Sequence, residues 1–476
     1  MELEGTEVVV LGLGVSGRAA VEVLLARGAR VRTADDAAPA DGRTDDTSVL
    51  TGAGLVVASP GFAPHHPFLV AAREAGVPVW SEVELAWRTR VPRPDGSHAP
   101  WLAVTGTNGK TTTVGMLESI LRAAGERAEA VGNVGSPVVA AVQDPSIDVL
   151  AVELSSFQLH HTYSMAAQAA AVLNVAPDHI DWHGSLEAYA RDKGRVFEHV
   201  ERACVYSVAD ERTRRLVEDA DVAEGARAVG VTLGTPGPGE LGLVEDILVD
   251  RSFHAEMDAP GRHGHAAELA SLADLEHLAG PGGRLAPHVV ANALAAAALA
   301  RAHGVTAAQV REGLRSFAPG AHRIQTVAHV DGVAYVDDSK ATNAHAAAAS
   351  LAAFPAGSVV WVAGGLAKGA DFDELVRSRR DRLRAAVVIG VDAEAILGAL
   401  ARHAADVPVT RIDPGDTGVM DRALEAARRH ARPGDTVLLA PAGASMDQFR
   451  SYAHRGEEFT RAALALPGAQ APEDVR

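Results

Sequence analysis

The chain has very little cysteine and no long apolar run. Its 476 residues contain one cysteine, Cys204, which excludes an internal disulfide and any metal site built from several cysteines. No apolar run reaches about 18 residues without a polar interruption, so no transmembrane helix is predicted. The N-terminal stretch MELEGTEVVV is acidic and leads into a predicted strand, so we expect no signal peptide and a cytoplasmic protein.

Positive charge is also scarce. The formal net charge is −17 at pH 7, which disfavours nucleic acids and anionic membrane surfaces as partners. We therefore expect no nucleic-acid partner. We also expect the protein to be a monomer.

Lysine is much rarer than arginine. Only four of the 44 lysine and arginine residues are lysines, namely Lys110, Lys193, Lys340 and Lys368. A chain with this bias is expected to keep lysine where arginine cannot act, either as a compact point charge or as an amine that can lose its proton. The alternative is that four lysines persist by chance, and the sequence around each of them decides between the two interpretations.

The order of strand and helix signals indicates three α/β domains. Length alone suggests about three domains, and strands alternate with helical stretches in a way that is typical of parallel sheets flanked by helices. We place a Rossmann-like domain at 1–96, a P-loop ATPase-like domain at 97–318 and a second Rossmann-like domain at 319–476. Residues 210–285 lack a clear period, and we assign them to strands and loops only. Ligands are expected at the carboxyl ends of the strands.

A Gly-rich turn follows the first predicted strand. Residues 12–17, GLGVSG, match the G-x-G-x-x-G pattern, and Asp35 and Asp36 follow about twenty residues later. In a dinucleotide-binding protein such a turn holds a diphosphate and the acid holds a ribose hydroxyl. By itself the motif favours a nicotinamide-dependent dehydrogenase.

A second Gly-rich turn opens the second domain, in WLAVTGTNGKTTTVGML at 101–117. The usual phosphate loop is G-x-x-x-x-G-K-[ST], but here Gly106 stands three residues before Gly109 rather than five. The physical parts remain, because Lys110 can reach phosphate oxygens at a helix N-terminus and Thr111 can ligate Mg²⁺. The alternative is a strand–helix turn with a surface lysine. We disfavour it because Lys110 is the only lysine in the first 192 residues.

Three further side chains suit a metal site near this loop. Glu153 ends the apolar strand of AVELSSFQL, where a carboxylate can contact Mg²⁺, although a solvated Glu is equally expected from that fragment alone. His179 follows another strand and could ligate a metal, but a lone His is more often a polar loop residue. Lys193 lies on the helix that follows.

The blocks TGTNGKTT, ELSSFQL, NVAPDHID and DKGRVF together resemble the Mur ligase family, the ATP-dependent amide-forming enzymes of peptidoglycan assembly. The resemblance continues through AHRIQTV, DDSKATN and LAPAGASMDQFRSYAHRGEEF, and it is weakest across 210–285. The shortened phosphate loop is the family's own variant. Within the family the chain is most similar to members that add D-glutamate to UDP-N-acetylmuramoyl-L-alanine through an acyl phosphate. A member that adds L-alanine, or a folylpolyglutamate synthase, is the nearest alternative.

The resemblance implies a role for each candidate residue. The implied contacts of ATP are Gly106, Thr107, Asn108, Gly109, Lys110, Thr111, Thr112, Arg323 and Asp338. The implied ligands of two Mg²⁺ ions are Thr111, Glu153, His179 and a carbamylated Lys193. The implied contacts of the UDP-linked substrate are Val15, Ser16, Asp35, Asp36, Gly61, Asn133 and His179. The implied contacts of D-glutamate are Lys340, Thr342, Lys368, Ser445 and Tyr452. Lys110, Glu153, His179 and Lys193 form the implied catalytic set.

Three positions depart from the family's pattern. Val289 stands where an Asn that contacts adenine is often found, Tyr452 replaces a common Phe, and Asp36 stands where a hydroxyl residue can occur. Two hypotheses from other functional classes compete with the ligase: a dehydrogenase, and a nucleotide-gated protein without catalysis. The dehydrogenase leaves the second Gly-rich loop and all four lysines unexplained.

Overall fold

The computed structural model describes residues 2–255, 262–279, 285–318, 320, 324–367, 369–415 and 418–472. The chain forms two compact units, one comprising residues 1–274 with 290–317 and the other residues 275–289 with 318–476. Within the described residues there are three β-sheets, two in the first unit and one in the second. The prediction of three mainly parallel α/β sheets is confirmed.

The N-terminal sheet consists of four parallel strands. Its strands are β1 (Glu7–Leu11), β2 (Arg30–Ala34), β3 (Leu55–Ala58) and β4 (Val79–Ser81), and its helices are α1 (Val15–Ala26), α2 (Pro67–Glu74) and α3 (Glu82–Thr89). The strands lie in the order β2-β1-β3-β4. The apolar run Val8–Leu11 is fully buried, as expected for a parallel strand covered by helices on both faces.

The central sheet has nine strands and begins with the predicted phosphate-loop strand. Its strands are β5 (Trp101–Thr105), β6 (Ala128–Gly132), β7 (Val149–Glu153), β8 (Ala169–Val172), β9 (Ala203–Ser207), β10 (Arg227–Val231), β11 (Glu240–Val244), β12 (Ile247–Asp250) and β13 (Ala267–Ser271). Its helices are α4 (Lys110–Ala123), α5 (Val138–Ala141), α6 (Ser156–His160), α7 (Ile180–His183), α8 (Leu186–Gly194), α9 (Glu211–Glu218), α10 (Pro287–His303) and α11 (Ala307–Ser316). The strand order is β13-β12-β11-β10-β9-β8-β5-β7-β6, and β12 and β13 run antiparallel to their neighbours.

The stretch 210–285 was predicted to contain only strands and loops, and this is wrong in part. It supplies β10–β13, but it also contains helix α9, which starts where the Asp210 carboxylate accepts a hydrogen bond from the Arg212 N–H. A helix of eight residues offers only about two turns of apolar period, so its pattern was too short to detect. The Asp210 N-cap was the available signal.

The C-terminal sheet follows the predicted alternation of strands and helices. Its strands are β14 (Gln325–Val330), β15 (Val333–Asp337), β16 (Val359–Gly364), β17 (Leu383–Ile389), β18 (Val409–Arg411) and β19 (Thr436–Ala442). Its helices are α12 (Ala344–Ala352), α13 (Asp373–Arg379), α14 (Glu394–His403), α15 (Val419–His430) and α16 (Tyr452–Leu464). The order is β14-β15-β19-β16-β17-β18, with β14 antiparallel to β15 and the other pairs parallel.

Helix α3 joins the N-terminal sheet to the central one by buried hydrogen bonds. The Ser81 hydroxyl lies 2.8 Å from the Thr162 hydroxyl. The Glu84 carboxylate accepts hydrogen bonds from the N–H groups of Tyr163 and Ser164 over 2.8 and 2.9 Å. Glu82 accepts another from the Gln158 amide on α6, over 2.8 Å. These bonds fix the two sheets of the first unit to each other.

None of the helices in the described part of the chain is both long enough and apolar enough to cross a membrane.

Candidate active site

The loop between β5 and α4 has the backbone of a phosphate-binding turn. Gly106 and Gly109 have φ values of 153° and 88°, which residues with a Cβ rarely adopt. A Cβ on Gly109 would also come within 2.5 Å of the Asn292 side-chain oxygen on α10. Helix α4 begins at Lys110 without a side-chain cap, so its first N–H groups point into the loop.

Asn174, which follows β8, holds this loop in place. The Asn108 N–H donates to the Asn174 side-chain oxygen over 2.9 Å, and the Asn174 amide donates back to the Asn108 carbonyl over 3.1 Å. The Thr107 N–H donates to the Asn174 carbonyl over 3.0 Å. Sequence analysis did not single out Asn174. The available signals were its position just after an apolar strand and its place as the first residue of the block NVAPDHID.

Two of the four lysines meet at one oxygen of the loop. Lys110 Nζ donates to the Gly106 carbonyl over 2.9 Å, and Lys193 Nζ, from α8, donates to the same oxygen over 3.0 Å. Lys193 is buried, and it lies 4.4 Å from the centre of the Tyr189 ring. Burial, and then the charge of Lys110, lower the pKa of Lys193 well below its ordinary value. Lys193 therefore gives up its proton more readily than an exposed lysine does.

Glu153 ends β7 beside this loop, because β7 pairs in parallel with β5. One carboxylate oxygen accepts a hydrogen bond from the Asn133 amide over 2.9 Å. The other oxygen is buried and has no hydrogen-bond partner among the described residues. A buried carboxylate oxygen without a donor is costly, and a bound cation would satisfy it.

His179 lies at the start of α7 in a left-handed backbone conformation with a φ of 53°. Its Nε2 is 3.6 Å from the Asp178 carboxylate, and its ring packs edge-on against Phe157 with 4.7 Å between centres. Strained non-glycine residues of this kind cluster at functional sites. The charge of Asp178 also acts on Lys193, where it partly opposes the lowering of the pKa by burial. His179 and Lys193 therefore share Asp178 as a neighbour.

A hydrogen-bonded chain that sequence analysis missed lies directly behind Lys193. The Asp192 carboxylate oxygen Oδ2 accepts from His160 Nδ1 over 2.9 Å and from His183 Nδ1 over 2.8 Å. His183 Nε2 in turn lies 3.0 Å from the Ser156 hydroxyl. Burial works against the charged form of Asp192, but the two histidines outweigh it and lower its pKa to about 2. The chain fixes the helix turn that carries Lys193.

The first Gly-rich turn is closed by Asp35. The Asp35 carboxylate accepts hydrogen bonds from the N–H groups of Leu13, Ala37 and Ala38 over 2.6, 2.7 and 2.6 Å. The bond from Leu13, followed by those from Ala38 and Ala37, holds the pKa of Asp35 below its ordinary value. Asp35 is therefore used to shape the turn. A dinucleotide site needs this acid for the ribose, and it needs two such βαβ halves, whereas this sheet has four strands.

The other residues assigned to the UDP-linked substrate lie around this turn. Val15 begins α1 and is 75% exposed, and Ser16 follows it half-buried. Gly61 is exposed in the turn after β3. Asp36 is exposed and accepts hydrogen bonds from the Thr44 N–H over 3.2 Å and the Thr44 hydroxyl over 2.5 Å.

In the second unit the structure brings Lys340 and Tyr452 together. Lys340 Nζ lies 3.9 Å from the centre of the Tyr452 ring, a cation–π contact. Thr342 is on the same loop, and its N–H donates to the Lys340 carbonyl over 2.9 Å. Ser445 is buried in the loop that follows β19. Lys368 lies outside the described residues, and so does Arg323 of the ATP set.

Asp338 directly follows β15, and its side chain is hydrogen-bonded within the protein. Its N–H donates to the Leu439 carbonyl over 2.9 Å, and its carboxylate accepts from the Ser350 hydroxyl and from the Ile324 N–H, the latter over 3.4 Å. Two separate elements, β19 and α12, thus hold Asp338.

Family models match three consecutive parts of the chain. These are the Mur ligase MurD-like N-terminal domain at residues 6–81, the Mur ligase middle domain at 104–300, and the Mur ligase glutamate ligase domain at 322–443. The chain is 56% identical to the UDP-N-acetylmuramoylalanine–D-glutamate ligase of Streptomyces coelicolor, over 98% of this chain and 99% of the relative. The chain belongs to the Mur ligase family. The resemblance read from the sequence is confirmed.

Further Mur ligase relatives agree with this membership. The UDP-N-acetylmuramoylalanine–D-glutamate ligase of Thermobifida fusca is 52% identical over 98% of this chain and 100% of the relative. Among solved structures, UDP-N-acetylmuramate–alanine ligase from Thermotoga maritima has a TM-score of 0.55 at 18% identity, covering 96% of this chain and 98% of that one. MurF ligase from Thermotoga maritima in complex with ADP has a TM-score of 0.53 at 17% identity, covering 97% and 95%. At such identities the structural likeness concerns the fold alone.

The loop and its surroundings suit magnesium better than a transition metal. Among the described residues no group of three or more His, Cys, Asp or Glu side chains is arranged to hold a metal ion. Mg²⁺ does not need such a cage, since it keeps several waters and binds one or two protein oxygens together with substrate phosphates. The buried Glu153 oxygen without a donor is one such group. The donor set therefore fits Mg²⁺.

Proposed function

We propose that this Mur ligase joins D-glutamate to UDP-N-acetylmuramoyl-L-alanine while ATP is converted to ADP and phosphate, in the synthesis of the peptidoglycan precursor. The observation that carries the choice of substrates is the match at 52–56% identity, from end to end, to ligases of that name. ATP and UDP-linked sugars are cytosolic metabolites, so we place the reaction in the cytoplasm.

Each predicted domain takes one substrate in this proposal. Residues 1–96 hold the UDP-linked sugar at the Gly-rich turn that Asp35 closes. Residues 97–318 hold ATP at the loop before α4. Residues 319–476 hold the incoming amino acid near the contact of Lys340 with Tyr452. The residue roles implied by the family resemblance remain our assignments within these domains.

Lys110 and the loop N–H groups bind the β- and γ-phosphates. The substrate carboxylate attacks the γ-phosphorus and ADP leaves, which forms an acyl phosphate. This activation is needed because a free carboxylate is a poor electrophile with a poor leaving group. Lys110 neutralises charge that spreads over the transferring oxygens. Loss of the Lys110 charge should therefore slow the chemical step.

Thr111, Glu153, His179 and Lys193 would hold magnesium. When bound, Mg²⁺ would neutralise charge on the phosphates of ATP. Lys193 would first have to become an anion. Its neutral amine can add CO₂ and release a proton, which gives a carbamate, and its lowered pKa favours that reaction. Arginine cannot do this.

The amine of D-glutamate attacks the acyl carbon, and the phosphate leaves with the former carboxylate oxygen. Lys340 lies on the amino-acid side of the proposed reaction and supplies a positive charge for a carboxylate of D-glutamate. We assign Lys368 the same role. Water must be excluded at this stage, because an acyl phosphate hydrolyses.

A panel of amino acids tests this function. The purified protein is incubated with ATP, Mg²⁺ and UDP-N-acetylmuramoyl-L-alanine, and phosphate release is measured with D-glutamate, L-glutamate, L-alanine or glycine. We expect release with D-glutamate only. Parallel incubations offer L-alanine with UDP-N-acetylmuramate and L-glutamate with a folate, and phosphate release there instead would indicate another member of the family. A fluorescence titration with NADH should show no binding, and binding would support the dehydrogenase hypothesis.

A further inference from the structure

A fully buried arginine lies under the proposed amino-acid site. Arg455, on α16, has no exposed surface, and none of its hydrogen bonds ends on a carboxylate among the described residues. Burial lowers its pKa to about 10, although the charges of Asp447 and Asp337 act in the opposite direction. A buried cation without a bonded anion is unfavourable, so the fold retains this side chain for a reason other than stability alone.

The three donors of Arg455 join two loops. Nε donates to the Ser339 hydroxyl over 3.0 Å and Nη2 to the Ser339 carbonyl over 2.9 Å. Nη1 donates to the Gly443 carbonyl over 3.0 Å. Ser339 directly precedes Lys340, and Gly443 stands two residues before Ser445. The guanidinium therefore links the carboxyl ends of the adjacent parallel strands β15 and β19.

The same cluster reaches Tyr452 and a third strand end. The Ser339 hydroxyl, while it accepts from Arg455, donates to the Tyr452 carbonyl over 2.7 Å. Gly365, just after β16, lies against the same cluster, since a Cβ there would lie 2.2 Å from the Ala444 carbonyl oxygen and 3.2 Å from Arg455 Nη1. The ends of β15, β16 and β19 and the start of α16 therefore lie together around Arg455 and Ser339. Only the planar fork of arginine offers donors in these fixed directions, and lysine does not.

We propose that Arg455 is a positioning residue for the incoming amino acid, because it holds the loop of Lys340 and the loop of Ser445 at a fixed separation. The inference rests on the proposed function, which assigns Lys340 and Ser445 to the amino acid. Arg455 itself is buried and touches no substrate.

The ATP side should be less sensitive to this residue. Asp338, which we assign to ATP, is held by the Leu439 carbonyl and by the Ser350 hydroxyl, and neither bond involves Arg455. Disturbing the guanidinium should therefore impair binding of the amino acid more than binding of ATP. If Arg455 had a purely structural role, its loss would weaken the binding of all three substrates alike.

The test compares the KM values of the three substrates in folded variants. The amino acid is first identified with the wild-type enzyme, so a failure of the proposed function is seen before Arg455 is changed. Arg455→Met keeps the apolar stem and removes the donors, and Arg455→Lys keeps the charge. Arg461→Met is the matched control, since Arg461 lies on the same helix and its side chain is 49% exposed.

For Arg455→Met we expect the KM for the amino acid to rise about tenfold or more, with the KM values for ATP and the UDP-linked substrate within about twofold of the wild type. Arg455→Lys should restore only part of this loss, and Arg461→Met should leave all three values unchanged. A folded Arg455→Met enzyme with a normal KM for the amino acid, or an equal rise in all three values, would overturn the proposal.

Ser339→Ala decides the matter if Arg455→Met does not fold. This variant removes one acceptor of Arg455 and the bond to Tyr452, and it leaves the buried charge in place. We expect a rise of about threefold in the KM for the amino acid and no change for ATP. A KM for the amino acid equal to that of the wild type would overturn the proposal.

Discussion

Lys110 and Lys193 donate hydrogen bonds to the same oxygen, the carbonyl of Gly106, over 2.9 and 3.0 Å. Two ammonium groups so close together repel each other, and burial penalises the charged form of Lys193. Together these two effects lower the pKa of Lys193 well below its ordinary value, which favours the neutral amine that the proposed carbamate requires.

Replacing Lys110 by Ala should lower kcat by at least about 100-fold, because the variant lacks a charge that stabilises the transferring phosphoryl group. The measurement is steady-state phosphate release in the presence of all substrates. Arg122→Ala is a suitable control, since Arg122 lies on the same helix and is 60% exposed. A Lys110→Ala enzyme with a near-normal rate would exclude the assigned role.

Lys193→Ala and Lys193→Arg should both lose most activity, because neither side chain can form a carbamate. A small carboxylic acid such as acetate should partly restore the Ala variant by supplying an anionic oxygen at the same place. A readout independent of activity is carbon-13 NMR with labelled bicarbonate. The wild type should show a carbamate signal that both variants lack. An active Lys193→Arg enzyme would contradict the carbamate.

Glu82 should make stability depend on pH. Burial raises its pKa from 4.5 to about 7, so between these values the folded protein binds more protons than the unfolded chain. Stability therefore falls as pH rises through this range, by a total of about 3 kcal/mol from this group. Glu82→Gln keeps an acceptor for Gln158 and cannot ionise. The difference in melting temperature between this variant and the wild type should therefore shift in favour of the variant as the pH rises from 5 to 8.

Glu84, two residues further along α3, is the matched control with the opposite sign. Burial acts against its charge, but hydrogen bonds from Ser164, Tyr163 and Arg88 together lower its pKa. Its contribution is present above the unfolded pKa and is lost as pH falls through the folded value. The melting temperature of Glu84→Gln should therefore be lower than that of the wild type at pH 8. The same pH trend in both variants would show that burial of Glu82 does not set its pKa.

Much of the local geometry of the candidate site could be predicted from the sequence because it depends on short local patterns. The loop between Gly106 and Lys110 needs glycines at fixed positions, and the scarcity of lysine is enough to mark Lys110 and Lys193 as candidates.

Other residues act through contacts that have no local pattern. Asp192 meets His183 from nine residues away and His160 from 32 residues away, on three different helices. Arg455 is one of 40 arginines, and only its burial and its three acceptors distinguish it. Such residues follow from tertiary packing, which composition and periodicity do not determine.

The central claim is that the substrate carboxylate is activated by phosphoryl transfer, and an oxygen-18 label tests it most directly. UDP-N-acetylmuramoyl-L-alanine labelled in its carboxylate is converted with ATP and D-glutamate, and the released phosphate is analysed by mass spectrometry. The account predicts one oxygen-18 atom in each phosphate, because the acyl carbon gives up that oxygen when the amine attacks. Phosphate free of label, formed together with the amide product, would contradict it.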